Sequence, residues 1–324
     1  MRVLAGDIGG TKTAIATVDI DRKRCRVLRL VRYPSADYPG LGEIVEQFLA
    51  GEASRPKAAG FGVAGPVTKG VAKVTKLPWR LETSALAKRT GIARVALVND
   101  FQAAARGISY LRPHQLETLV PGRAEAAAAV AILGAGTGLG QAGIVRTGDR
   151  TVVVASEGGH VDFGPRNDAE DGLVRFLRGR FGRATRDRIL SGGGLALIYA
   201  YLKSRRAAPE SAAVAAALQQ EDPAAVVSRF ALAGKDRLCR LAMDMFVSIY
   251  GSETGNLALQ YRATGGVYVG GGIAPRILPE LKRPAFRRAF GAKPPMTELL
   301  GRIPVRVVLD WRLGLFGAAA SVIE

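Results

Sequence analysis

At 324 residues and 48% hydrophobic, the chain can bury a substantial core and is long enough for two lobes. It has no apolar run of about 18 residues and reads as a strand from its first positions, so neither a membrane span nor a signal peptide is expected. The balance is basic, 46 Lys and Arg against 28 Asp and Glu for a formal charge of +18, a field that favours anionic ligands. The arginines are scattered and not interleaved with aromatics, which points to a solvated basic surface rather than a specific nucleic-acid site. Two isolated cysteines, Cys25 and Cys239, offer neither a disulfide framework nor a metal-ligand pair, which suits a reducing cytoplasm.

Residues 3–5 read as a buried strand and 14–18 as its hairpin partner, joined by Gly6-Asp7-Ile8-Gly9-Gly10-Thr11-Lys12-Thr13. Glycines there leave nothing between the backbone and a ligand, so successive N–H groups can converge on phosphate oxygens, with the Thr11 hydroxyl as a further donor. Asp7, at the strand end, is placed to hold the metal that accompanies a nucleotide, directly or through water. A tight hairpin with a solubilising aspartate is the competing reading. A strand follows at 25–33, a helix at 41–49, a buried strand at 58–64 ending at Gly65-Pro66, a short helix at 83–90 and a strand at 95–98.

That last strand ends in Asn99-Asp100-Phe101, before a helix beginning at 102–107. Ligands bind at the carboxyl ends of strands in open α/β sheets. Asp100 reads either as a general base for an attacking hydroxyl or as a helix N-cap, and Asn99 offers a donor and an acceptor to neighbouring hydroxyls.

A second strand–turn–strand segment runs from 130 to 145 through Gly134-Ala135-Gly136-Thr137-Gly138-Leu139-Gly140. It lacks the helix and downstream acid of a dinucleotide fingerprint, and the chain has no Gly-x-x-x-x-Gly-Lys-Ser/Thr loop. Two such turns suggest a nucleotide clamped between two lobes. Glu157-Gly158-Gly159-His160 supplies groups suited to vicinal hydroxyls of a sugar; the alternatives are a metal site and a mutual Glu–His bond, while His114 reads as exposed. Asp187 precedes Gly192-Gly193-Gly194 at the opening of an apolar helix. Helices are read at 168–181, 194–203, 211–219 and 232–261, a strand at 267–269 closed by Gly270-Gly271-Gly272, a strand at 305–309 and a helix at 314–322. Linkers are expected at 121–125 and 284–295.

The order of these segments resembles the bacterial glucokinase family, the hexokinase-like sugar kinases of the actin fold. The resemblance is carried nearly end to end by GDIGGT from residue 6, Gly65-Pro66, LVNDF at 97–101, GAGTGLG at 134–140, EGGHVDF at 157–163, R-x-L-S-G at 188–192 and GGGIAPR at 270–276. A neighbouring family of repressors and kinases shares the N-terminal DIGGTK and a Glu-x-Gly-His, but its zinc-binding cysteine cluster is missing here. The resemblance implies a two-lobe actin-like (RNase H-like) α/β fold with mixed sheets, and a cleft between a small lobe, residues 1–110 completed by 310–324, and a large lobe, 111–309.

It also implies ATP-dependent phosphorylation of the 6-hydroxyl of glucose with Mg²⁺ and lobe closure to exclude water, by a cytoplasmic protein that is commonly a homodimer. By carry-over, Asp100 is the catalytic base, and Asn99, Glu157, His160 and Asp187 bind the sugar. Asp7, Gly9, Gly10, Thr11 and Lys12, with Gly136, Thr137 and Gly138, form the phosphate side, Asp7 reaching the metal through water, and Gly270, Gly271 and Gly272 the adenosine side. Another hexose, polyphosphate as donor, and a non-catalytic sugar-sensing regulator stay open as alternatives. This sequence departs from the family's pattern twice: Asp187 stands where Glu is usual, shorter by about 1.5 Å, and Trp311-Arg312-Leu313-Gly314-Leu315 replaces an Asn-Pro-Gly-Leu.

Overall fold

The chain, a computed structural model describing residues 1–148 and 150–323, divides into two compact units, 1–115 with 152–155 and 310–324, and 116–151 with 156–309. In the first unit, strands β1 (Arg2–Ile8), β2 (Lys12–Ile20) and β3 (Cys25–Pro34) form a meander, followed by helix α1 (Leu41–Ala50) and strand β4 (Ala58–Val63). Short strands β5 (Val67–Thr68), β6 (Val71–Lys73) and β7 (Arg80–Glu82) make a separate antiparallel sheet before α2 (Thr83–Thr90), β8 (Arg94–Asn99) and α3 (Asp100–Gly107). The main sheet has the order β3-β2-β1-β4-β8, with β1, β4 and β8 parallel.

β1 is apolar on both faces, the signature of a strand covered on both sides. Leu4 and Ile8 join Phe61 and Val63 under Ile44 and Phe48 of α1, while Val3 and Ala5 face Leu315 and Ala319 of the helix Leu313–Ala320. The second face is built of small residues. A Cβ at Gly60 would lie 1.8 Å from Ala318 O, and one at Gly317 would lie 1.6 Å from Ala103 O. Backbone is therefore packed on backbone, and glycine is the residue that fits.

The second unit opens with β9 (Leu116–Val120), then β10 (Val130–Ala135) and β11 (Leu139–Thr147); β12 (Arg150–Ser156) follows, its residues 152–155 counted with the first unit. A helical stretch follows: α4 (Asp168–Phe181), α5 (Arg186–Ile189), α6 (Gly192–Ser204), α7 (Ala212–Leu218), α8 (Pro223–Leu232) and α9 (Arg237–Tyr261). β13 (Val267–Gly270), α10 (Leu278–Leu281), α11 (Pro284–Gly291), α12 (Thr297–Arg302) and β14 (Val305–Val308) complete it; the helix Leu313–Ala320 of the first unit is α13. The sheet order is β12-β11-β10-β13-β14-β9. Its core gathers Leu133, Val267, Val269 and Val307 with Phe246 and Tyr250 of α9.

Two sequence expectations need correction. The proline-bounded stretch 284–295 is not a linker: Pro284 opens α11, whose Phe286 and Phe290 are buried on α9. Gly251 and Gly255 admit it, since a Cβ there would come within 2.2 Å of Phe286 O and 2.5 Å of Phe290 O. Pro at the first helical position costs no hydrogen bond, so it starts a helix as readily as it marks a loop. The helix expected over 232–261 breaks after Leu232; Asp236 caps α9 by accepting from Cys239 N at 2.8 Å.

Candidate active site

The first unit brings Asp7, the 9–12 turn and Asn99-Asp100 to one sheet edge. Ile8 is level with Val63, and Val63 with Asn99, at the carboxyl ends of three parallel strands. The turn between β1 and β2 is fastened by Gly9 N donating to Lys12 O at 3.1 Å, Ser35 N to Thr11 O at 3.0 Å and Ser35 Oγ to Gly9 O at 2.9 Å. Ser35, buried and outside every motif, thus holds the turn's shape. Gly10 passes close over Thr75, where a Cβ would lie 2.7 Å from the carbonyl oxygen, while Thr11 and Lys12 are exposed.

The strand-to-helix junction separates the two readings of Asp100. Asn99 is the cap: its Oδ1 accepts from Phe101 N at 2.9 Å and Gln102 N at 3.3 Å, and Gln102 Oε1 accepts from Asn99 N at 3.2 Å, a capping box. Asn99 Nδ2 also donates to Gly65 O at 3.2 Å, so the residue read as a sugar ligand also fixes the junction. Asp100 is the first helical residue, its Oδ1 accepting from Phe101 N at 2.9 Å.

Asp7 keeps some solvent exposure, yet burial, and after it the Asp100 carboxylate, push its carboxyl up to about 6. The start of α13 abuts it: a Cβ at Gly314 would lie 3.3 Å from Asp7 Oδ2. The divergent 311–315 segment is anchored by Asp310, which accepts from Arg312 N at 2.9 Å and Arg312 Nη2 at 2.6 Å, with Trp311 stacked under Arg32. Among the described residues no group of three or more His, Cys, Asp or Glu gathers for a metal ion. A partly buried carboxylate beside a second one suits Mg²⁺, which takes one or two carboxylates together with substrate phosphates.

In the second unit the register pairs Gly134 with Gly270 on parallel strands, so the turn after β10 and the turn after β13 lie side by side. A Cβ at Gly134 would meet Gly270 C at 2.7 Å, and Gly271 takes φ +79 over Ala135, whereas nothing lies within 4 Å of a Cβ at Gly136 or Gly272. The backbone at those last two positions borders open space. Gly192 N donates to Gly136 O at 3.0 Å, which sets α6 on the same turn, and a Cβ at Gly138 would sit 3.9 Å from Asp187 Oδ2.

His160 stands between two acids, Nδ1 3.7 Å from Asp187 Oδ1 and Nε2 3.9 Å from Glu157 Oε2. Both gaps are too long for hydrogen bonds, so the mutual Glu–His bond is not formed. Glu157 and His160 are well exposed. The glycines between them are required by contact: Cβ atoms at Gly158 and Gly159 would lie 2.2 Å from Gln141 Oε1 and 2.0 Å from Leu139 O. Asp187 is oriented by Thr185 Oγ1, which donates to its Oδ1 at 2.6 Å.

A family model described as glucokinase matches residues 4–324. The chain belongs to the glucokinase family. The glucokinase of Nostoc sp. is 41% identical over 333 residues, covering 98% of this chain and 97% of that one. The crystal structure of a glucokinase from an Antarctic psychrotroph, 30% identical, superposes with a TM-score of 0.87 over 99% of this chain and 98% of its own. That of Balamuthia mandrillaris glucokinase in complex with glucose shares the fold, with a TM-score of 0.81 at 19% identity over 100% and 94% of the two chains. The fold is accordingly that of the actin-like sugar kinases.

Against the glucokinase motifs, sequence reasoning missed Ser35, Thr185 and the Arg186 side chain. Only Arg186 carried a signal, adjacency to Asp187; its partner Glu253 lies far along the chain on α9, at 3.1 Å.

Proposed function

We propose that this chain phosphorylates the 6-hydroxyl of glucose from ATP with Asp100 as the base. The reading rests on one observation above the others: the capping duty at the β8–α3 junction falls to Asn99, leaving Asp100 on the first turn with its carboxyl oriented by Phe101 N. Glu157, His160 and Asp187 hold sugar hydroxyls, with Asn99 Nδ2 as a further donor. Asp100 accepts the 6-hydroxyl proton as that oxygen forms its bond to the γ-phosphorus and the bond to the ADP oxygen breaks.

The chain's own contribution is mostly positioning. Gly9 N and Gly136 N are held by Lys12 O and Gly138 O, so the backbone N–H groups of Gly10, Thr11, Thr137 and Gly138 are the ones that meet phosphate oxygens, and the open backbone at Gly272 admits the adenosine. Asp7 would hold Mg²⁺, through water, and the ion supplies neutralisation of phosphate charge. A site that recognises several hydroxyls by polar groups rejects a sugar lacking one of them more strongly than an apolar pocket would.

A coupled assay with ATP, Mg²⁺ and a hexose panel tests this, with polyphosphate as an alternative donor. Asp100→Asn should lower kcat roughly 10²- to 10⁴-fold while calorimetric glucose affinity stays within about twofold. Near-normal turnover in that variant would remove the base assignment.

A further inference from the structure

We infer that α9 is a positioning strut that sets the nucleotide turn with Tyr250 and the sugar carboxylate with Glu253, two residues one helical turn apart. The inference rests on the assignment of Gly136–Gly138 to phosphate and Asp187 to glucose. Residues at i and i+3 share a helix face, and here each reaches a different half of the second unit's site.

Tyr250 is fully buried, and its Oη accepts from Ala135 N at 3.0 Å. Ala135 is the last residue of β10 and the pivot of both glycine turns. It pairs with Leu139 to close the first, its carbonyl accepts from Ile273 N at 3.2 Å, and Gly271 lies against it. One phenol thus fixes the backbone from which Gly136, Thr137 and Gly138 depart.

Glu253 is 2% exposed, its Oε1 accepting from Asn256 Nδ2 at 3.0 Å and its Oε2 lying 3.1 Å from Arg186 Nε. That last contact is one of charge, since the two atoms are not aligned for a hydrogen bond. Arg186 directly precedes Asp187 on α5, which has four residues and little stability of its own. Other ties are Arg186 N to Val161 O at 3.1 Å, Thr185 to Asp187, Arg188 stacked on Phe181 and Ile189 in the core, but the Glu253 contact is the one made by the side chain directly before Asp187. A buried carboxylate facing a nearly buried guanidinium holds the segment because separating them strands a charge.

The helix itself is held firmly. α11 is seated on Gly251 and Gly255, and Lys293 Nζ donates to Ser252 Oγ at 2.7 Å. Neither Tyr250 nor Glu253 belongs to a turn or motif that meets substrate. Their chemistry is spent on residues that do.

Steady-state kinetics and calorimetry on single variants of the full chain test the inference. Tyr250→Phe keeps the ring and should raise both KM for ATP and Kd for a non-hydrolysable ATP analogue roughly five- to tenfold, with glucose KM within about twofold. Glu253→Gln should do the reverse, raising glucose KM roughly tenfold and leaving the ATP analogue unaffected. Because Glu253→Gln strands Arg186 and can impair folding, Arg186→Gln/Glu253→Gln is measured with it, and its glucose KM should stay raised.

A fall in kcat or melting temperature with both KM values unchanged would reduce the two residues to ordinary core and overturn the strut. A double variant with wild-type glucose KM would also overturn it. Asp187→Asn separates the two levels: an unchanged glucose KM there removes the sugar assignment itself, whereas a large rise beside a silent Glu253→Gln removes only the strut.

Discussion

Gly317→Ala is the sharpest probe of how the first unit places the edge that carries Asp7 and Asp100. In an ordinary helix interior the change should stabilise by about 1 kcal/mol, from propensity alone. Here the new Cβ would lie 1.6 Å from Ala103 O and 2.5 Å from Ala103 C, where contacts under 3.0 Å force something to move. Both neighbours are backbone, so no side chain can swing away. Overpacking of this kind costs about 1–3 kcal/mol, and the upper end applies to a carbonyl in a helix already seated on the sheet. The clash outweighs the propensity gain, leaving a net loss of about 2 kcal/mol, or roughly 4–8 °C in melting temperature.

The yielding elements are α3, which begins with Asp100, and α13, whose Gly314 touches Asp7. A displacement of about 1 Å there should lower kcat/KM by up to ~10²-fold. Gly179→Ala in α4 is the matched control, since nothing lies within 4 Å of its added Cβ; it should raise the melting temperature and leave kinetics alone. Calorimetric melts and kcat/KM on both variants decide the matter. Equal shifts in the two, or an unchanged melt for Gly317→Ala, would refute the packing account.

Other outcomes follow from the same geometry. His160→Ala should raise glucose KM roughly tenfold or more with KM for ATP unchanged; an effect on ATP alone would move the imidazole to the nucleotide side. Asp187→Glu should leave glucose KM equal or lower, and a roughly tenfold rise would mean the loop is built around the shorter acid and its Thr185 bond. Burial pushes the Glu280 carboxyl up, but Arg240 and then Arg283 outweigh it and hold the group below its ordinary 4.5. A depressed folded value stabilises above about pH 4.5 and is lost as pH falls. The gap in melting temperature between wild type and Glu280→Gln should therefore shrink from pH 7 to pH 4, and a constant gap would remove Glu280 from the acid response.

Local chemistry was legible in the sequence; tertiary dependence was not. The turns at 9–12 and 136–138 were legible as turns because a glycine cluster between two apolar strands closes a hairpin, and Asn99-Asp100 because an Asx pair after a buried strand marks a strand-to-helix junction. Which of the two caps the helix could not be read, because both side chains are able to do it; the bonds from Phe101 N and Gln102 N to Asn99 Oδ1 settle it. The stretch 284–295 misled because its prolines look like loop punctuation, while the Gly251 and Gly255 notches that seat it lie on another helix. The β5–β7 sheet was missed since strands of two and three residues carry no period. Glu253 was silent because a carboxylate inside a helix reads as a surface charge until its partner is found.

The placement of α13 bears on synthesis. Residues 310–323 cover a sheet whose strands leave the ribosome far earlier; Asp310, which accepts from Gln115 Nε2, follows it by 195 residues. Until they emerge, Val3, Ala5 and Ala16 on that face have no helix over them. The second unit is contiguous apart from the short excursion at 152–155 and can collapse on the nascent chain as it appears. The first must wait, holding an apolar sheet face open throughout the making of the second, a window in which a chaperone or a neighbouring nascent chain competes for the surface that α13 eventually takes.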